Sequence, residues 1–74
     1  MSRPASQHSR LWRVRKRQSS IDAILRVDAG MVTLEYVLNG RRITVRRWPT
    51  RAQAMTAANE RRAELERAGW TEHW

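Results

Sequence analysis

Arginine offers the most chemistry in this chain, and its spacing is regular. Arg13 and Arg15 alternate with Trp12 and Val14, and Arg42 and Arg46 flank Thr44 and alternate with Ile43 and Val45. Alternate residues of a β-strand point to opposite faces. The spacing therefore predicts a sheet with one apolar surface and one guanidinium-rich surface. A guanidinium is a planar fork of donors that matches phosphate oxygens and stacks on bases. The chemistry implied is recognition of a polyanion. The candidate nucleic-acid-binding set is Arg10, Arg13, Arg15, Arg17, Arg26, Arg42, Thr44 and Arg46. Thr44 belongs to it because a hydroxyl suits phosphate or a base edge.

Catalytic chemistry has no comparable support. His8 and His73 lie near the two ends, where no framework would fix them. Asp22, Asp28 and Glu35 sit among arginines and read as ion-pair partners rather than an acid–base pair. There is no glycine-rich phosphate loop, no cysteine and no zinc spacing. The expectation is a protein without enzymatic activity, catalytic residues, metal or cofactor.

Composition agrees with a polyanion partner. The 74 residues carry a formal charge of +8, from fifteen basic residues, fourteen of them arginine, against seven acidic ones. A coding bias toward arginine would explain the choice of arginine over lysine but not the excess charge. Nucleic acid is the usual counterpart of so small and basic a domain. No apolar run is long enough to span a bilayer, and Met1 to Ser9 lacks the apolar region of a signal peptide. No membrane partner is expected, and cytoplasmic residence is the default.

Few elements are available to position these arginines. The fold class predicted is α+β: a four-stranded antiparallel meander with one C-terminal helix across a face (ββββα). Residues 1–9 read as a disordered basic arm, 10–70 as one domain and 71–74 as a short tail. The strands are Leu11 to Arg17, Ile21 to Asp28, Met31 to Leu38 and Arg41 to Trp48. Asn39-Gly40 is the strongest hairpin signal, because both turn residues need positive φ. A four-residue turn from Arg17 to Ser20 would set Val14 opposite Ala23 and Arg15 opposite Asp22. A plain two-residue Asn39-Gly40 hairpin would set Tyr36 opposite Ile43, Glu35 opposite Thr44 and Leu34 opposite Val45. Leu11, Arg42, Thr44 and Arg46 would then share the open face with Arg13, Arg15, Arg17 and Arg26. Trp48 would fall on that face too, unless a bulge near Arg46 or Arg47 turned it inward. Thr50, with Gln53 three residues on, predicts a helix start, and Gly69 a left-handed close after Ala68. Lys16 shares parity with Trp12 and Val14, so its head must leave at the sheet end.

The segment Trp48-Pro49-Thr50-Arg51-Ala52-Gln53-Ala54 resembles the sheet-to-helix junction of the AP2-like arm-binding domains of phage and plasmid integrases. That resemblance covers the last hairpin and the helix. It implies a small antiparallel sheet laid in a DNA major groove with a helix behind. Arg13, Arg15, Arg42, Thr44 and Arg46 would be the groove residues. Four strands are predicted here rather than three. The Trp12-Arg13-Val14-Arg15-Lys16 start and the Arg67-Ala68-Gly69-Trp70 helix end are also similar to small bacterial proteins of no assigned function, which lend none.

The expectation is non-catalytic nucleic-acid binding, duplex DNA before RNA, through the open face and the basic arm. An ordinary solvated face with cross-strand ion pairs would have the same composition. So would a protein-interaction module or small regulator, including a homodimer joined through the open face, where Leu11, Ile24, Met31 and Val37 would form an apolar patch rimmed by arginine.

Overall fold

The computed structural model describes residues 7–72. Five strands form one antiparallel sheet: β1 (Gln7–Lys16), β2 (Ser19–Asp28), β3 (Met31–Leu38), β4 (Arg41–Trp48) and β5 (Thr71–Glu72). Their spatial order is β4-β3-β2-β1-β5. One helix, α1 (Arg51–Arg67), lies between β4 and β5 in sequence and packs on one face of the sheet. The α+β architecture and the meander of four main strands are as the sequence predicts.

Local chemistry accounts for the connections. Ala29 and Gly30 have φ of 53° and 81°, and Asn39 and Gly40 have 51° and 84°, the paired positive values of a type I′ hairpin. The Asn39-Gly40 turn is also tied sideways. Asn39 Oδ1 accepts from Ser20 N, and Asn39 N donates to Ser20 O, both at 2.9 Å. The first turn is Arg17-Gln18 alone, since Lys16 already pairs with Ser19. Val14 therefore lies opposite Ile21, not Ala23, and Asp22 lies opposite Arg13, not Arg15. The shift is two residues, so every side chain keeps its face.

Two bulges depart from the plain alternation. β1 carries one extra residue, Leu11, between the pairs Arg10–Ile24 and Trp12–Ala23. Leu11 packs against the core instead of standing on the open face. β4 carries one extra residue, Ile43, between the pairs Val37–Arg42 and Tyr36–Thr44. This is the bulge that turns Trp48 inward, placed earlier than Arg46 or Arg47. Beyond it Leu34 faces Arg46 and Val32 faces Trp48.

The core lies between sheet and helix. Trp12, Val14, Ala23, Leu25, Val32 and Leu34 are buried from the sheet, and only Ala54 and Ala58 from α1. Alanines let the helix axis approach closely, and Trp12 supplies the volume. Burying one tryptophan removes roughly 200 Å² from water, worth about 5 kcal/mol. Its indole is also satisfied, with Nε1 donating to Ala58 O at 3.1 Å.

The helix ends are capped from within. Thr50 Oγ1 accepts from Gln53 N at 3.1 Å. At the far end, Gly69 N donates to Glu66 O and Trp70 N to Leu65 O, with Gly69 at φ 101°. That is the Schellman pattern. The head of Lys16 does not simply escape to solvent: its Nζ donates to Ala68 O at 2.7 Å. A cation there complements the helix dipole. Residues 71–72 then return to the sheet, with Thr71 paired to Arg15 and Glu72 to Val14.

Candidate nucleic-acid interface

Cross-strand pairing places side chains in rows on the face away from α1. One row is Arg13, Asp22, Val37 and Arg42; the next is Arg10, Ile24, Glu35 and Val45; a third is His8, Arg26, Thr33 and Arg47. Arg15 extends the set beside Ser20. Six arginines thus share one surface with three carboxylates, those of Asp22, Glu35 and Asp28. On α1 the signs nearly balance, with Arg51, Arg61, Arg62 and Arg67 against Glu60, Glu64 and Glu66.

Two of the carboxylates are already engaged. Arg13 Nε and Nη2 grip the Asp22 carboxylate at 2.6 and 2.9 Å. Arg26 does the same to Glu35 at 2.9 and 3.4 Å, and Arg42 Nη1 approaches the same carboxylate from β4 at 3.7 Å. Glu35 is only 5% exposed, held between guanidiniums from both flanking strands. The hydrogen bond to Asp22 raises the pKa of Arg13, and that to Glu35 raises the pKa of Arg26. Both stay charged. Each two-point ion pair fixes a guanidinium plane on the sheet surface while leaving its outer edge in solvent.

Of the eight residues read from the sequence, Arg10, Arg13, Arg15, Arg26 and Arg42 come together on this face. Arg17 does not join the rows, because it forms the first hairpin turn with φ 58°. Thr44 and Arg46 are on the opposite side, carried there by the extra residue at Ile43. Thr44 faces Tyr36, and the Arg46 guanidinium lies over the Trp48 ring at 4.2 Å. Their expected placement on the open face is thus corrected. The same inversion brings two residues to the open face that the plain register hides, Arg47 and Val45. The signal for Arg47 was its neighbour: once Trp48 is required inside, the residue before it must point outward. The arm, residues 1–9, is described only from Gln7, and Gln7 to Ser9 continue β1 as strand; residues 1–6, with Arg3, lie outside the described residues.

On the helix side α1 does not extend across β4. The space between them is a groove with two adjoining hollows of about 270 and 190 Å³, which share Tyr36, Thr44 and Arg61 as lining. Arg61 lies 5.7 Å from the Tyr36 ring. Burial raises the Tyr36 pKa, partly offset by Arg61. Trp48 Nε1 is buried with no hydrogen-bond partner among the described residues. Trp12, Tyr36, Trp48 and Trp70 all pack on this side, so among the described residues the open face bears no tryptophan or tyrosine, only the His8 imidazole near the start of β1.

Among the described residues no group of three or more His, Cys, Asp or Glu is placed to hold a metal ion. No helix among the described residues is long and apolar enough to cross a membrane. No family model matches this chain, and no curated protein or solved structure matches it either.

Proposed function

We propose that this chain is a non-catalytic nucleic-acid-binding module that lays the open face of its sheet on duplex DNA. The observation that carries the reading is the row structure: six arginines on one surface, with the central carboxylates already paired to Arg13, Arg26 and Arg42. Arg10, Arg13, Arg15, Arg26, Arg42 and Arg47 are the contact set, and Thr33 takes the hydroxyl role first given to Thr44. Duplex is favoured over single strands because the described tryptophans and the tyrosine lie on the helix side. A face without tryptophan or tyrosine lacks the platforms on which unpaired bases stack best, whereas phosphates and groove edges need only donors and charge.

The test is affinity for random duplex and single-stranded DNA against salt. Four to six phosphate contacts give a log–log slope of about −4 to −5, a loss of roughly 10²–10³ between about 50 and 200 mM salt. Replacing Arg10, Arg26, Arg42 and Arg47 by Gln removes most of the affinity, while Arg46→Gln has a minor effect. Absence of duplex binding at low salt refutes the proposal.

One observation favours a second reading. Val45 is 49% exposed on the β4 edge of the open face and Met31 41% exposed at the end of β3, with Ile24 and Val37 in the neighbouring rows. An apolar strip rimmed by arginine also suits a protein interface, such as that of a homodimer. Sedimentation showing a stable dimer that buries Val45 would replace the first reading with this one.

A further inference from the structure

β4 is the last strand of the sheet, and its outer edge offers unpaired backbone donors and acceptors. Edge strands are commonly protected by charge and by bulges, and β4 has both. Its bulge interrupts the edge at Ile43, which leaves the regular run from Thr44 to Trp48. It bears Arg41, Arg42, Arg46 and Arg47 and no carboxylate. Beside that run on the helix side lies the two-part groove, with Ile43 51% exposed at one end and Arg46 at the other.

A second copy is a poor occupant. Antiparallel self-pairing over Thr44 to Trp48 centres on Arg46 and sets it against its own symmetry mate, and like charges directly opposite are destabilising. An acidic strand meets the opposite situation. We propose that the Thr44–Trp48 edge of β4 accepts an extended acidic peptide of a partner protein as an added strand. Main-chain hydrogen bonds would supply affinity, and alternate side chains would supply specificity. Residues two apart on such a strand are about 6.8 Å apart and share a face. One set meets Ile43, Tyr36 and Arg46 over the groove, and the other meets Arg47 on the open side. Of the six arginines on the open face this surface shares only Arg47, and the proposal does not depend on the DNA-binding reading.

The probe is a blocked heptapeptide of alternating glutamate and valine, titrated into the isotopically labelled full chain while backbone amides are followed by NMR. Shifts confined to β4, Tyr36 and Arg61 are expected. N-methylation of alternate peptide amides on one edge should weaken binding more than tenfold, and methylation on the other edge should leave it nearly unchanged. The Lys-for-Glu peptide should not bind. Arg46→Glu should weaken the peptide by tenfold or more and leave the duplex affinity of the open face within about threefold. Shifts spread over Arg10, Arg13 and Arg26 would mean simple polyanion binding and overturn the proposal. Indifference to N-methylation, concentration-dependent self-pairing through β4, or no binding at millimolar peptide would each overturn it as well.

Discussion

Replacing Glu35 by glutamine separates what holds this sheet together from what the sheet binds. Glu35 is buried, and its carboxylate accepts two hydrogen bonds from Arg26 and lies 3.7 Å from Arg42. Glutamine keeps the size but carries no charge and can turn an N–H₂ toward a guanidinium. A buried hydrogen bond to a charged group contributes about 1.5–3 kcal/mol, and the half-exposed arginine heads lower that figure by solvation. A loss of about 2 kcal/mol in stability is expected. In a domain of this size each kcal/mol moves the Tm by about 4–8 °C, so the midpoint should fall by roughly 10 °C. Duplex affinity should move the other way. Removing one negative charge about 7 Å from a phosphate changes the energy by about 0.6 kcal/mol in water, close to threefold. The assays are thermal unfolding by circular dichroism and fluorescence anisotropy with labelled duplex at a temperature where both proteins are folded. A variant that melts lower and binds tighter agrees with the open face as the binding surface. A folded variant that binds more weakly than the parent refutes it. A variant with unchanged Tm refutes the role given to the Arg26–Glu35–Arg42 cluster.

Three further outcomes follow from particular geometries. Ala29 holds φ 53° at the first position of a type I′ turn, where asparagine is preferred; Ala29→Asn should raise stability by about 0.5–1 kcal/mol in denaturant titration. The buried indole of Trp12 and the half-buried indole of Trp48 differ in their hydrogen bonds. Trp12→Phe should cost about 3 kcal/mol because it loses both volume and the bond to Ala58 O, whereas Trp48→Phe should cost about 1 kcal/mol or less because it also removes an unsatisfied N–H. Tyr36 is the one tyrosine of the chain, so absorbance at high pH reports it alone. Burial places its midpoint above the ordinary 10.0. A folded pKa above the unfolded one means that its contribution to stability is whole below pH 10 and fades as pH rises through the folded value; a midpoint at or below 10 would contradict the burial.

The Asn39-Gly40 turn and the helix caps were legible in the sequence because each depends on one or two residues, whereas the first turn is two residues shorter than expected. Asn39-Gly40, Thr50 and Gly69 have few alternatives to the conformations they adopt. β4 was less legible for a physical reason. Its Ile43 and Val45 alternate with arginine as core residues would, yet α1 leaves β4 uncovered and both stay about half exposed. Register is strongly specified only where a face is buried. What fixes β4 lies at its ends, where the hairpin pairs Leu38 with Arg41 and the core pairs Val32 with Trp48. Between those pairs there are six steps on β3 and seven on β4, so one residue must bulge. The arginine face suffered most, because a single extra residue exchanged Arg46 for Arg47. At β1 the extra Leu11 and the shorter first turn changed partners but left Arg13 and Arg15 outward. The two residues of β5 are too few for any periodicity to reveal.

The junction of β1 with β5 and the helix end has a bearing on how the chain is made. The first three hairpins close over short separations and can zip as soon as their residues are free. The contacts Trp12–Ala58, Lys16–Ala68 and Arg15–Thr71 span 46, 52 and 56 residues. During synthesis the early strands therefore form a sheet whose tryptophan-bearing face stays wet until the helix and the two residues of β5 arrive. Such a partly covered sheet is the species most exposed to aggregation, and a truncation before Ala68 would hold the protein there.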